Sequence, residues 1–137
     1  MVHADAVPAA RGESRNSLSK AEEMLAVAAD AAAAARWNAA ALNAIHAGIC
    51  AADAALISSA GFRSRSQDHS AVMMFLEKEV AEFGASQRRQ IAGLLKMKNK
   101  VEYEQRLLTE TEARQLVDQA DRFVRWAKSV VSTHLDR

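Results

Sequence analysis

Apolar positions recur along most of this chain at spacings of three and four residues, the repeat of one helix face. A first helix is expected to begin at Ser17 or Ser19, either of which can cap the amides that follow, with Glu22 and Glu23 in its opening turns complementing the macrodipole. Its stripe is Leu18, Ala21, Leu25, Ala28, Ala32 and Ala35. A short break is expected near Arg36-Trp37-Asn38, where Asn38 can cap a new helix. The second helix, about residues 38 to 60, carries Leu42, Ile45, Ile49, Ala52 and Leu56 beside a row of alanines, so apolar surface covers much of its circumference and it should be the central element. Gly61 ends it, and a polar loop follows to Gln67. Asp68 is placed to cap a third helix with Met73, Leu76, Val80 and Phe83 inward, stopped by Gly84. A fourth helix spans about Ser86 to Tyr103 and uses Ile91, Leu94, Leu95 and Val101. The capping box Thr109-Glu110-Thr111-Glu112 opens the last, in which Ala113, Val117, Ala120, Val124, Ala127 and Val131 repeat with a seven-residue rhythm suited to a bundle seam.

Composition agrees with an all-α protein. Half of the 137 residues are apolar but only 5% are aromatic, and one proline and five glycines interrupt the chain. Residues 1 to 16 mix Pro, Gly, Ser and charge without periodicity, which reads as a disordered leader ahead of one domain over 17 to 137. The expected architecture is an antiparallel up-and-down bundle of four to five helices. A formal charge of +1 excludes a strong whole-molecule attraction to polyanions, so any such binding must be local. The lone Cys50 has no disulfide partner, no Cys/His spacing suggests a structural metal, and no cofactor is expected. With no signal-peptide core and no continuous run of about 18 strongly apolar residues, the expectation is a cytoplasmic protein without a membrane association.

Three polar features break the pattern. Asn43, His46, Cys50 and Asp53 align as one polar stripe on the helix built for burial, and Asp53 there requires a partner or a cleft. The loop Arg63-Ser64-Arg65-Ser66-Gln67-Asp68-His69 sets two arginines and a histidine at a helix N-terminus, a corner suited to phosphate. Arg88, Arg89, Lys96, Lys98, Lys100 and Arg106 concentrate positive charge on the fourth helix and its end, where Asn99 and Tyr103 share a face and Lys98 stands one turn from Glu102. Each has a structural alternative: Asp53 capping a loop or pairing with a basic residue of the next helix, the arginine-serine loop as a solvated connection, the lysines as a solvated face. Gly-rich phosphate loops, HExxH, CxxC and Gly-x-Ser-x-Gly are missing from the sequence.

The helix from Trp37 to Ala54, the Gly61-x-Arg63-x4-Asp68-His69 turn, the segment Leu94 to Tyr103, Glu112-Ala113 and Ala120-Asp121-Arg122-Phe123-Val124 together resemble the HEPN superfamily of prokaryotic helical-bundle domains, over most of residues 18 to 131. In catalytic members an Arg, usually followed by Asn, precedes a His by four to six residues, and the pair cleaves RNA without a metal at a dimer interface. Lys98-Asn99 stands at the Arg-Asn position here, whereas Glu102 or Tyr103 falls where the His would be, so the ribonuclease motif is degenerate. A tyrosine titrating near 10 is a poor substitute for imidazole in proton transfer. Arg63 and His69 also have five residues between them, but in the loop before the third helix.

The resemblance implies a nucleic-acid- or nucleotide-binding protein of a toxin-antitoxin or phage-defence type, with weak or lost metal-independent ribonuclease activity. Lys98, Asn99, Tyr103 and Asp53 are the candidate catalytic residues, converging on one cleft with Arg63 and His69 at its rim. Arg63, Arg65, His69, Arg88, Arg89, Lys96 and Lys100 are the candidates for nucleic-acid binding. Expected partners are a second copy of the chain, RNA or a nucleotide, and a nucleotidyltransferase-type protein. The alternative is a non-catalytic dimerising module that supports such a nucleotidyltransferase or a larger effector. A small-molecule enzyme is a third option, but no polar cluster names a reaction.

Overall fold

The apolar stripes wind into five α-helices, and a computed structural model of the chain, which describes residues 4–66 and 68–136, arranges them around the second. These are α1 (Ser14–Ala33), α2 (Trp37–Ala60), α3 (His69–Glu79), α4 (Ala85–Tyr103) and α5 (Glu110–Leu135), joined by two short strands, β1 (Ala6–Pro8) and β2 (Phe62–Ser64). The all-α bundle is therefore the fold found. α2 packs most extensively against α1 and α5 and also meets α4, and 14 of its 24 residues are buried on all sides, which makes it the central helix the pattern implied. By length and composition α2 could cross a membrane, with a mean hydropathy of 1.5, yet 72% of that stretch is buried inside the protein.

Alanine and glycine set the spacing. A Cβ on Gly48 would stand 2.6 Å from Leu94 Cδ1, so the Leu94 side chain of α4 fills the space that the missing side chain leaves on α2. Around this contact Ile45, Leu56, Ile91 and Leu94 are fully buried, with Phe123 of α5 closing the other side. Phe83, Trp126 and Phe123 form an edge-and-tilt aromatic series at 5.8 and 5.1 Å between ring centroids. The seam of α5 is wider than a strict heptad, because Leu116, Phe123 and Val130 join the buried alanines and valines while Val117 is half-buried.

Several boundaries differ from expectation for local reasons. The leader expected over residues 1 to 16 is structured from Ala6: β1 pairs antiparallel with β2, Ala6 opposite Ser64, Val7 opposite Arg63 and Pro8 opposite Phe62. A 3-10 turn at Arg11–Glu13 then runs straight into α1, which starts at Ser14 and leaves Ser17 and Ser19 inside the helix. Residues 1 to 3 of that leader, and Gln67 of the polar loop, lie outside the described residues. Asn38 does not cap α2; its Oδ1 accepts from the Leu108 amide at 3.0 Å and ties the start of α2 to the segment entering α5. Asp68 holds the N-cap position of α3 without a side-chain cap bond. α3 ends at Glu79 because Val80 turns out of helical geometry to bury its side chain, and Gly84 instead opens α4, its amide donating to Gln87 Oε1 at 3.0 Å. The Thr109 capping box forms as read: Glu112 N donates to Thr109 Oγ1 at 3.1 Å and Thr109 N to Glu112 Oε1 at 3.0 Å.

The break between α1 and α2 is a Schellman closure, with Arg36 N donating to Ala31 O at 2.8 Å and Ala35 N to Ala32 O at 3.0 Å. It forces Ala35 to a φ of 59°, where a Cβ crowds the following carbonyl. Ala35→Gly should therefore stabilise the protein by about 0.5–1 kcal/mol, since left-handed geometry costs an L-residue roughly 1–2 kcal/mol and glycine's extra unfolded-state entropy offsets part of the relief. Chemical denaturation reads this directly, and an unchanged or lower midpoint would count against the strain.

Candidate functional site

The β2–α3 connection is where the expected phosphate corner lies, and its position depends on the N-terminal strand. Besides the β1–β2 ladder, Arg65 N donates to Asp5 O at 2.6 Å, and Phe62 packs edge-on against Phe75 of α3 with centroids 5.1 Å apart. Ser64 Oγ donates to the Ser66 carbonyl, and the Asp68 amide donates to Ser66 Oγ at 3.0 Å, which shapes the turn into α3. His69, the first residue of α3, is thereby held at one rim of a cleft whose other wall is α4.

That cleft has a volume of about 320 Å³ and is lined by Ser66, Asp68, His69, Leu95, Lys98 and Asn99. Thus His69 faces Lys98 and Asn99 although 29 positions separate it from Lys98 in sequence. Behind the cleft, Glu102 Oε2 lies 3.9 Å from Lys98 Nζ, the one-turn pairing its spacing implied, while Glu102 Oε1 lies 3.2 Å from His46 Nε2 on α2. Glu102, in the place where the resemblance would put a histidine, therefore joins a histidine of another helix to Lys98. His46 stood in the polar stripe of the second helix, which was the available signal, but its partner depends on how α2 and α4 cross.

The remaining candidates do not converge on this cleft. Asp53 is on the same α2 stripe two turns from His46, with Arg63, Lys20 and Cys50 as its charged or titratable neighbours, and it does not line the cleft. Burial pushes its carboxyl up to about 6, against the pull of Arg63 and Lys20. Burial, with Asp53 adding to it, likewise raises the Cys50 thiol, whose Sγ packs 4.0 Å from Met24 Sδ; this favours a structural cysteine over a nucleophile. Tyr103 is 72% exposed at the end of α4. Arg65 is exposed, and Arg88 is paired with Glu77 of α3.

Lys96 and Lys100 project to the other side of α4, into a groove shared with α5, and Arg89 lies farther along it. Arg106 makes a two-pronged pair with Glu112 at 3.0 Å per bond, which with the Thr109 amide draws the Glu112 carboxyl down to about 2. The basic run is thus divided by the helix that carries it. Among the described residues no group of three or more His, Cys, Asp and Glu is placed to hold a metal ion.

The geometry at Asp53 gives a pH dependence. Its folded pKa of about 6 lies above the unfolded value of 3.8, so between those values the native state holds a proton that the unfolded chain releases, and stability falls as pH rises through that window. The penalty, fully present above pH 6, is about 2–3 kcal/mol. Asp53→Asn should raise the unfolding free energy by that amount at pH 7.5 and leave it nearly unchanged at pH 4, as urea titrations at the two pH values would report. A lower unfolding free energy for Asp53→Asn at pH 7.5 would place the carboxylate in a favourable ion pair instead.

A family model for the HEPN domain matches residues 14–130, from the first residue of α1 into α5. Among curated proteins no match was found. The matched span contains α2, the β2–α3 corner, the whole of α4 and the cleft between them, and the chain belongs to the HEPN domain family, helical modules associated with nucleotides and RNA.

Proposed function

We propose that this protein binds RNA, or the phosphates of a nucleotide, in the cleft where His69 meets Lys98 and Asn99. The observation that carries this is the meeting itself: an imidazole, an ammonium and a carboxamide line one open space of about 320 Å³ beside a helix N-terminus. Lys98 and the first amides of α3 suit a phosphate, Asn99 adds amide donors, and His69 adds an imidazole that can donate or accept a hydrogen bond. Asp68 opposes phosphate at the same rim, which favours a ligand held at the Lys98 side. Glu102, already bridging His46 and Lys98, fixes the lysine rather than occupying the cleft.

Any ribonuclease activity in this arrangement is weak and metal-independent, in line with the family resemblance. His69 would accept the proton of a ribose 2′-hydroxyl as that oxygen attacks the adjacent phosphorus, the P–O5′ bond would break with the His69 proton passing to the leaving 5′-oxygen, and Lys98 would hold the charge that develops on the phosphoryl oxygens. One imidazole must then serve as both base and acid, which limits the rate. We place the protein in the cytoplasm, acting as a dimer in a toxin-antitoxin or phage-defence setting.

A second reading has its own observation. A groove of about 320 Å³ lies between α1 and α5, floored by Leu25, Ala29, Ala32 and Val117. It suits a non-catalytic module that dimerises and supports a nucleotidyltransferase or a larger effector.

The two readings separate in one set of assays. At about 50 mM salt, where phosphate contacts are strongest, labelled RNA should bind, and Lys98→Ala combined with His69→Ala should weaken it at least tenfold. Slow cleavage in the presence of EDTA should disappear with His69→Ala alone. If no RNA or nucleotide binds and light scattering finds a dimer, the interaction-module reading replaces this one.

A further inference from the structure

The groove between α4 and α5 contains polar atoms that neither the fold nor the His69 cleft uses. Gln119 of α5 lies at its middle, lining both a 270 Å³ space with Lys96 and Lys100 and a 260 Å³ space with Arg89. Its amide is packed on the bare backbone of Gly93, where a Cβ would come within 2.6 Å of Oε1 and 2.8 Å of Nε2. Despite this close seat, Gln119 Oε1 is buried with no hydrogen-bond partner among the described residues, and so is Gln90 Oε1 nearby on α4. Unpaired buried carbonyl oxygens at a helix seam are costly, and an apolar side chain would pack the same space without that cost. Two of them on residues that line one groove suit a donor that arrives from outside.

The charges of the groove suit the same visitor. Arg89, Lys96 and Lys100 fall on one stripe of α4 over 11 positions, roughly 16 Å of helix at 1.5 Å per residue. The acidic residues there are already engaged, Asp118 with Arg122 at 3.2 Å and Glu112 with Arg106. Cations along a track with carboxamides at its floor form the combination that holds a nucleic-acid backbone and tests a base edge.

We propose that the α4/α5 groove is a base-reading site, in which the Gln119 amide pairs with an adenine of single-stranded RNA whose phosphates are held by Arg89, Lys96 and Lys100. This deepens the RNA-binding reading given above and rests on it. Adenine is singled out because a carboxamide offers an acceptor and a donor side by side, matching the N6 amino group and N7, whereas guanine presents two acceptors on that edge and is matched by Arg or Lys. A single strand is required because the deep groove of duplex RNA hides these edges. Rotation about χ3, a broad torsion, turns the amide from Gly93 into the groove. The site is separate from the His69 cleft, so one strand crossing α4 can be gripped on one side and read on the other.

The test is fluorescence anisotropy on the full chain at low salt with labelled ten-nucleotide A, C and U homopolymers. Wild type should bind the adenine oligomer about tenfold more tightly than the uracil oligomer, the scale of one good carboxamide pair. Gln119→Leu should remove that preference by weakening adenine binding while leaving uracil binding unchanged. Gln119→Met, which keeps the length without a charge and loses both the acceptor and the N–H donor, should do the same and serves if the leucine variant fails to melt cooperatively. Lys96→Ala should weaken all three oligomers alike. Equal wild-type affinity for the three, or Gln119 variants that lower all in parallel, would overturn the base-reading assignment while leaving RNA binding intact. Failure of every oligomer to bind would overturn the RNA-binding reading and this one with it.

Discussion

The close approach of α4 to α2 at Gly48 is the contact on which the arrangement depends. Leu94 Cδ1 occupies the volume where any side chain at residue 48 would begin, so α4 lies directly against the most buried helix of the bundle. With α4 seated there, Lys98 and Glu102 come to the same level as His46, and the outer face of α4 is left free to carry lysines. Alanine makes this possible along the whole of α2. Its small side chains exchange the larger burial of leucine or phenylalanine for short helix-to-helix distances, and the larger anchors Ile45, Leu56, Ile91, Leu94 and Phe123 supply the packing that the alanines lack.

A second constraint is the two-stranded sheet that fastens the chain's N-terminal segment to the loop after α2. Three residue pairs are too few to be stable by themselves, and the ladder persists because Ala6 and Ser64 are buried against the bundle and Phe62 meets Phe75. Its consequence is functional. His69 begins α3 at the point where the fastened loop delivers it, opposite α4, so a segment with no chemistry of its own sets the geometry of the cleft.

Much of this was legible from residue patterns. The 3,4 spacings located all five helices, the Thr109 capping box forms bond for bond, and the family shown by comparison is the one the motifs resembled. Residues 6–8 were unreadable because three-residue strands contain no alternation, and Ala35 because nothing in an alanine run marks which residue turns left-handed. At the site, His69 was expected at the rim of the cleft lined by Lys98 and Asn99, where the chain path through β2 and α3 puts it, whereas Arg63, Asp53 and Tyr103, expected with them, do not line that cleft. Asp53 was read correctly as a polar residue in a helix built for burial, and its neighbours are Arg63 and Lys20 rather than Lys98. Gln90 and Gln119 gave no signal, since a glutamine is as common on an exposed helix face as on a seam.

His69, Lys98 and Asn99 line one cleft although they come from different helices, and we propose that a ligand binds there. An amide chemical-shift titration of isotope-labelled protein with a short single-stranded RNA tests it most directly. Binding in this cleft requires Ser66, His69, Lys98 and Asn99 to shift together along one binding curve. Shifts confined to the α1/α5 groove around Leu25 and Val117, with those four amides unmoved, would contradict it.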